Sequence, residues 1–133
     1  KVETEGHRLR KAFVDRLMSE LGSQIDFYGR GIQPIDDKDT ALAGYQFHIA
    51  LENSEHPHYW TEKLADPFLR GCFPIYHGCP NVQDYFPANS YLHIDITRPD
   101  EAIESIRIAL SEGLNSTPMN LLLKQLSVGN ISV

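Results

Sequence analysis

The sequence predicts an α/β protein in which a parallel sheet is covered by helices on both faces. Two observations carry that prediction: strand-like apolar runs alternate along the chain with segments of helical periodicity, and capping residues stand at the helix boundaries. In such a sheet ligands are expected at the carboxyl edge of the strands.

Leu9, Phe13, Leu17 and Leu21 recur every four residues, and Val14 and Met18 widen the stripe, so residues 8–21 read as an amphipathic helix. Gly22 is placed to end it. Residues 25–28 form a short β-type run closed by Gly29-Arg30-Gly31, and a polar loop with Asp36-Asp37-Lys38-Asp39 follows. Residues 47–51 are the next strand. Thr61 is an N-cap for a helix reaching about Arg70, with Gly71 just beyond, and Pro67 inside it is expected to kink it by removing one backbone hydrogen bond. Residues 72–76 make another strand, 82–86 a helical turn and 91–96 a further strand. A helix over 99–112 begins with Pro99, carries acids in its first turn and buries Ile103, Ile106 and Leu110. Residues 118–126 are expected to form a last helix.

At 133 residues the chain is one domain with one core. Its formal charge of −6 disfavours nonspecific binding to nucleic acid or to anionic membranes, so its few cations must act where they are placed. No apolar run approaches the ~20 residues that span a bilayer. The start, Lys1-Val2-Glu3-Thr4-Glu5-Gly6-His7, has no signal-peptide stretch and no initiating Met, and reads as part of a longer chain. Cys72 and Cys79 fit neither a zinc pattern nor a disulfide framework and read as reduced packing residues. The sequons at Asn115 and Asn130 do not decide the compartment.

The chemistry is concentrated after the second strand. Tyr45-Gln46-Phe47-His48-Ile49-Ala50-Leu51-Glu52-Asn53-Ser54 runs an apolar strand into a polar turn, and Tyr59-Trp60-Thr61-Glu62-Lys63-Leu64 starts a helix. A strand-turn-helix unit of this kind can present backbone N–H groups and a cation to a phosphate. Lys63 stands in the first helical turn, where the macrodipole gives a cation nothing, so a lysine there points to an anion. Glu62 suits the same turn on dipole grounds. Two metal readings are rejected. Asp37-Lys38-Asp39 follows a loop rather than an apolar strand. In His56-Pro57-His58, beside Glu55, the proline disfavours the helix that would align the two imidazoles, so no metal is expected.

Together with Gly71-Cys72-Phe73-Pro74-Ile75-Tyr76-His77-Gly78 and Ser90-Tyr91-Leu92-His93-Ile94-Asp95, these segments resemble the donor-binding half of the family 10 glycosyltransferases, the α-1,3/4-fucosyltransferases. The resemblance runs from about Arg10 to about Ile96. It implies a Rossmann-like C-terminal half of a two-domain GT-B-type enzyme, binding GDP-fucose as donor substrate with no tightly bound cofactor. The partners it implies are a glycan acceptor and an N-terminal acceptor domain that would hold the general base. It places Lys63 on the donor pyrophosphate, Glu62 on sugar or ribose hydroxyls, and Asn53 and Tyr59 in the donor pocket. Arg10, in Leu9-Arg10-Lys11-Ala12-Phe13, resembles the family's Arg-x-x-Phe segment, whose arginine holds the diphosphate through its planar fork. Asp95-Ile96-Thr97 departs from the two acids and Phe that often close the family's last strand. A bacterial member would be cytoplasmic, at the periphery of the inner membrane, and a eukaryotic one in the Golgi lumen; the cytoplasmic setting is preferred. Two alternatives stand beside this reading: a noncatalytic sugar-nucleotide-binding module, and a transferase using another nucleotide sugar.

Overall fold

The computed structural model describes residues 5–27, 45–112 and 131–132. In chain order these form α1 (Glu5–Leu21), β1 (Ile25–Asp26), β2 (Phe47–Leu51), α2 (Glu62–Leu69) and β3 (Phe73–His77). Two single 3-10 turns (Val82–Asp84 and Ala88–Ser90), β4 (Leu92–His93), α3 (Pro99–Glu112) and β5 (Ile131–Ser132) follow. The strands make one sheet in the order β1-β5-β2-β3-β4, and every pair is parallel. Gly29-Arg30-Gly31, the acidic loop at 36–39, the sequon at Asn115 and the helix expected over 118–126 lie outside the described residues.

The β2–β3 pair is the spine of the sheet, in register from Phe47 opposite Phe73 to Leu51 opposite His77. Side chains of a strand alternate between faces. Phe47, Ile49, Leu51, Phe73 and Ile75 therefore join Phe13, Leu17 and Leu21 of α1 and Ala102, Ile103 and Ile106 of α3 in one core. Ala50 and Tyr76 point the other way, into a second cluster with Leu64 of α2, Cys79, Val82 and Tyr91. Helices thus cover both faces, as the alternation of elements predicts. On the exposed side of α1, Arg16 reaches Asp100 at 2.7 Å and Arg107 of α3 reaches Glu20 at 3.0 Å. Exposed pairs of this kind hold two helices in register more than they stabilise them.

The capping signals act as read. Thr61 caps α2 by accepting the Lys63 N–H at 3.1 Å. The other end closes on Gly71, whose φ of 77° is the left-handed conformation that favours glycine. The Cys72 N–H bonds the Pro67 carbonyl at 2.9 Å and the Gly71 N–H bonds Phe68 at 3.3 Å, the two bonds of a Schellman ending. Pro67 is accommodated as a buried residue inside the continuous helix, and it can donate no bond to the Lys63 carbonyl.

The boundaries differ in informative places. Helix α1 begins at Glu5, three residues before the expected start at residue 8, and Met18 is 40 % exposed instead of widening the buried face. Strand β3 is displaced by one residue, to Phe73–His77. The expected strand over 91–96 is paired only at Leu92–His93, although Ile94 and Ile96 remain buried. Asp95 ends it locally, because its carboxylate accepts both the N–H and the hydroxyl of Thr97 at 2.9 and 2.6 Å and turns the chain. Cys72 and Cys79 are buried, unbridged thiols, and burial pushes Cys72 up to about 11.

Leu17→Ala is expected to cost about 2–5 kcal/mol of stability, whereas Met18→Ala on the next position should stay within about 0.5 kcal/mol of the parent. Urea unfolding of the two variants checks this, and equal midpoints would mean that α1 is rotated from the orientation described.

Candidate functional site

The carboxyl ends of β2 and β3 gather the residues that can meet a ligand. Arg10 comes to this edge from α1. Its Nε donates to the carbonyl of Leu51, the last residue of β2, at 3.2 Å, and burial lowers the pKa of its guanidinium. Among the described residues its two terminal nitrogens have no partner, so a half-buried cation presents its fork without a counter-ion. The first turn of α1 lies close by: a Cβ on Gly6 would sit 1.9 Å from the Asn53 carbonyl oxygen. Asn53 itself is half-buried, and its side-chain oxygen is buried with no hydrogen-bond donor among the described residues. An orphaned buried acceptor is costly and rare, and a donor arriving with a ligand would satisfy it.

Between these two residues Glu52 continues the ladder, its N–H donating to the His77 carbonyl at 2.9 Å. Its side chain is only 2 % exposed. One carboxylate oxygen accepts the Thr61 hydroxyl at 2.7 Å; the other accepts the Thr61 N–H at 2.8 Å and the Tyr76 hydroxyl at 3.1 Å. Tyr76 in turn accepts the Cys79 N–H at 3.0 Å, and burial raises its phenol well above the ordinary value. Gly78 leaves the room this requires, since a Cβ there would stand 2.3 Å from Cγ of Glu52 and 2.6 Å from the Tyr76 hydroxyl. The cluster fixes Thr61, and Thr61 starts α2. Glu62, exposed, and Lys63, half-buried, are therefore tethered to the same strand end as Arg10. Lys63 has no ion-pair partner among the described residues. The expectation of several backbone N–H groups facing a ligand is corrected in part, because Thr61 takes those of Lys63, Leu64 and Ala65.

The loop leading to α2 is pinned on its outer side. His58 has a φ of 65°, held by its N–H donating to Asn81 Oδ1 at 2.7 Å and by its Nδ1 lying 2.6 Å from the Tyr85 hydroxyl. Trp60 packs on Phe86 and Tyr85, with ring centroids 5.2 and 5.8 Å away. Tyr59 is 42 % exposed and lies edge-on to His56. His56 and His58 thus turn to different partners. Glu55 instead comes together with His77 and Asp95, their nearest ligand-type atoms within 4.8 Å of one another. His77 accepts the Ile96 N–H at Nδ1 at 3.3 Å.

Sequence reasoning placed Arg10, Asn53, Tyr59, Glu62 and Lys63 by motif; Arg10 and Asn53 lie at the carboxyl end of β2, Glu62 and Lys63 begin α2, and Tyr59 is exposed in the loop between. That reasoning missed the inner partners Glu52, Tyr76 and Gly78. The available signal was an acid directly after a strand of four apolar residues in five, followed nine residues on by the N-cap of the next helix.

Residues 2–108 match the family model for glycosyltransferase family 10 (fucosyltransferase), C-terminal. The chain belongs to that family. It is 39 % identical over 79 residues to the alpha-(1,3)-fucosyltransferase 4 of Bos taurus, covering 53 % of this chain and 20 % of the relative. It is 30 % identical over 132 residues to the GDP-fucose protein O-fucosyltransferase 3 of Mus musculus, covering 86 % of this chain and 27 % of that protein. The chain therefore spans about a quarter or less of the length of these relatives. Among solved structures, an α1,3-fucosyltransferase with GDP-fucose superposes with a TM-score of 0.65 at 28 % identity, over 92 % of this chain and 36 % of that one. One with GDP gives 0.63 at 26 %, with the same coverage. The family 10 assignment accords with the fold expected, a GT-B-type α/β domain with a parallel sheet and helices on both faces.

Tyr76→Phe should destabilise the domain by about 1–3 kcal/mol, because it leaves the buried Cys79 N–H without an acceptor and Glu52 without one donor. Denaturant unfolding measures the loss; a neutral substitution would show that the phenol is dispensable to the cluster.

Proposed function

We propose that this chain is the donor-binding part of an inverting fucosyltransferase that takes GDP-fucose and passes fucose to a hydroxyl of a glycan acceptor in α-1,3/4 linkage. The observation that carries the reading is Arg10, a half-buried guanidinium oriented through Leu51 with its fork unpartnered among the described residues at the ligand edge of the sheet. A diphosphate supplies two oxygens in the geometry such a fork accepts. Lys63 adds a second cation, and the two offset the charge that builds on the leaving diphosphate. Glu62 accepts hydroxyls of the sugar or ribose, Asn53 Oδ1 accepts one more, and Tyr59 flanks the pocket. The solved relatives named for their GDP and GDP-fucose complexes support the donor assignment.

In the transfer, the acceptor oxygen forms a bond to the fucose anomeric carbon from the face opposite the diphosphate. The bond to the diphosphate oxygen breaks, its electron pair leaves with GDP, and the hydroxyl proton passes to a carboxylate base. Among the described residues Glu52 is unsuited to that role, since both its oxygens are already bonded within the fold. The base is assigned to an N-terminal acceptor domain of the whole protein. The protein O-fucosyltransferase relative, which covers 86 % of this chain, favours a second reading of the acceptor: a hydroxyl of a protein side chain.

Lys63→Ala should raise the GDP dissociation constant by roughly 10- to 150-fold while leaving the thermal midpoint near that of the parent, the loss of a charge-assisted phosphate contact. Arg10→Lys should weaken GDP despite keeping the charge, and neither change should alter guanosine binding. Titration calorimetry tests both, and undiminished GDP affinity in either variant removes that residue from the diphosphate site.

Residues 1–133 alone should bind GDP-fucose yet transfer no fucose to a lactosamine-type or a peptide acceptor, because base and acceptor positioning together supply far more than the roughly 10²–10⁴-fold of general-base catalysis. An end-point assay beside the full-length protein checks this. Robust transfer by residues 1–133 would place the base within them.

A further inference from the structure

Resting on that donor reading, we infer that Glu52 and Thr61 are positioning residues, a buried carboxylate clasp that sets Lys63 in register with Arg10 for diphosphate binding. A carboxylate that is 2 % exposed is expensive to bury, and an apolar side chain of similar size would fill the same space without that penalty. What the charge gives is orientation. The Thr61 hydroxyl has one proton, and Glu52 takes it at 2.7 Å, so the lone pairs of that oxygen turn toward the Lys63 N–H at 3.1 Å. The Thr61 N–H is held by the other oxygen of the same carboxylate at 2.8 Å. Both bonds anchor the start of α2 to the residue that follows Leu51.

Arg10 is anchored to Leu51 itself. Two cations from different helices thereby take their positions from two consecutive residues at the end of one strand. In the intervening loop the bonds to Asn81 and Tyr85 fix His58, and the Tyr59 N–H bonds the His56 carbonyl at 3.2 Å; neither set holds the start of α2. Without the clasp Lys63 would keep its charge and lose its placement. A ligand would then have to order the first turn of α2 as it bound, at a cost in affinity.

A double-mutant cycle on the full chain separates this role from general support of the fold. GDP and guanosine affinities are measured by calorimetry in the parent, Thr61→Val, Lys63→Ala and the double variant, with thermal melts of each. Thr61→Val is expected to weaken GDP on the order of tenfold, to leave guanosine unchanged, and to add nothing once Lys63 is alanine. Thr61→Ser, which restores a hydroxyl, should return GDP affinity to near the parent value. Glu52→Asp, whose shorter side chain withdraws the carboxylate from Thr61, should repeat the Thr61→Val pattern and serves if the valine variant does not fold. Equal weakening by Thr61→Val in both backgrounds, or none in either, overturns the clasp. If Lys63→Ala leaves GDP affinity at the parent level, Lys63 is not at the diphosphate and the clasp fails while the donor reading still rests on Arg10; if the folded parent binds no GDP, the donor reading fails and the clasp with it.

Discussion

The parallel pairing of β2 with β3 is the constraint on which the rest of the domain depends. Its register decides which side chains face α1 and α3 and which face α2, because a shift of one residue would exchange the two sets. It also decides where the ladder stops. Both strands end together at Leu51 and His77, and the next residues, Glu52 and Gly78, meet at once: the carboxylate occupies the space that a side chain at Gly78 would fill. The candidate site is thus built on a strand boundary, with α1 brought to it by one hydrogen bond from Arg10 and α2 by two from Thr61.

How much of this was legible in the sequence depended on how local the cause was. Helix α3 was read to the residue because Pro99, the acids after it and the spacing of Ile103 and Ile106 all lie within the element. The Thr61 cap and Gly71 ending were legible for the same reason. The two-residue strands β1 and β4 were legible only as the longer runs 25–28 and 91–96. Strand β5 was missed entirely: Ile131 and Ser132 have no alternation to detect and become a strand only by pairing with β1 and β2. The site divides in the same way. Glu62 and Lys63 sit in a contiguous motif, whereas the Glu52 to Tyr76 bond joins positions 24 residues apart and depends on β2 and β3 being adjacent.

An acidic chain that holds an anion needs its cations kept out of ion pairs. Arg8, Arg16, Arg98 and Arg107 pair with carboxylates on the exposed faces of α1 and α3, through Glu5, Glu20, Asp100, Glu101 and Glu104. Arg10 lies two residues from Arg8 on the same helix but turns toward the sheet, where its only partner among the described residues is a carbonyl. A neutral acceptor orients the guanidinium without neutralising it, so its full charge remains for whatever enters the cleft.

The place of β5 has a consequence for how the molecule is made. It lies between β1 and β2, so Ile25 reaches its neighbour, Ile131, across more than a hundred residues of chain. During synthesis on the ribosome, β2, α2 and β3 can associate as soon as they emerge, since they are contiguous and their contacts are short-range. Among the described strands β1 pairs only with β5, so it must wait with neither edge paired until that partner is translated, and closing so long a loop is entropically slow. The half of the sheet that carries Glu52, Thr61 and Lys63 is therefore the half that can form first, and the nascent chain can acquire its ligand edge before its sheet is whole.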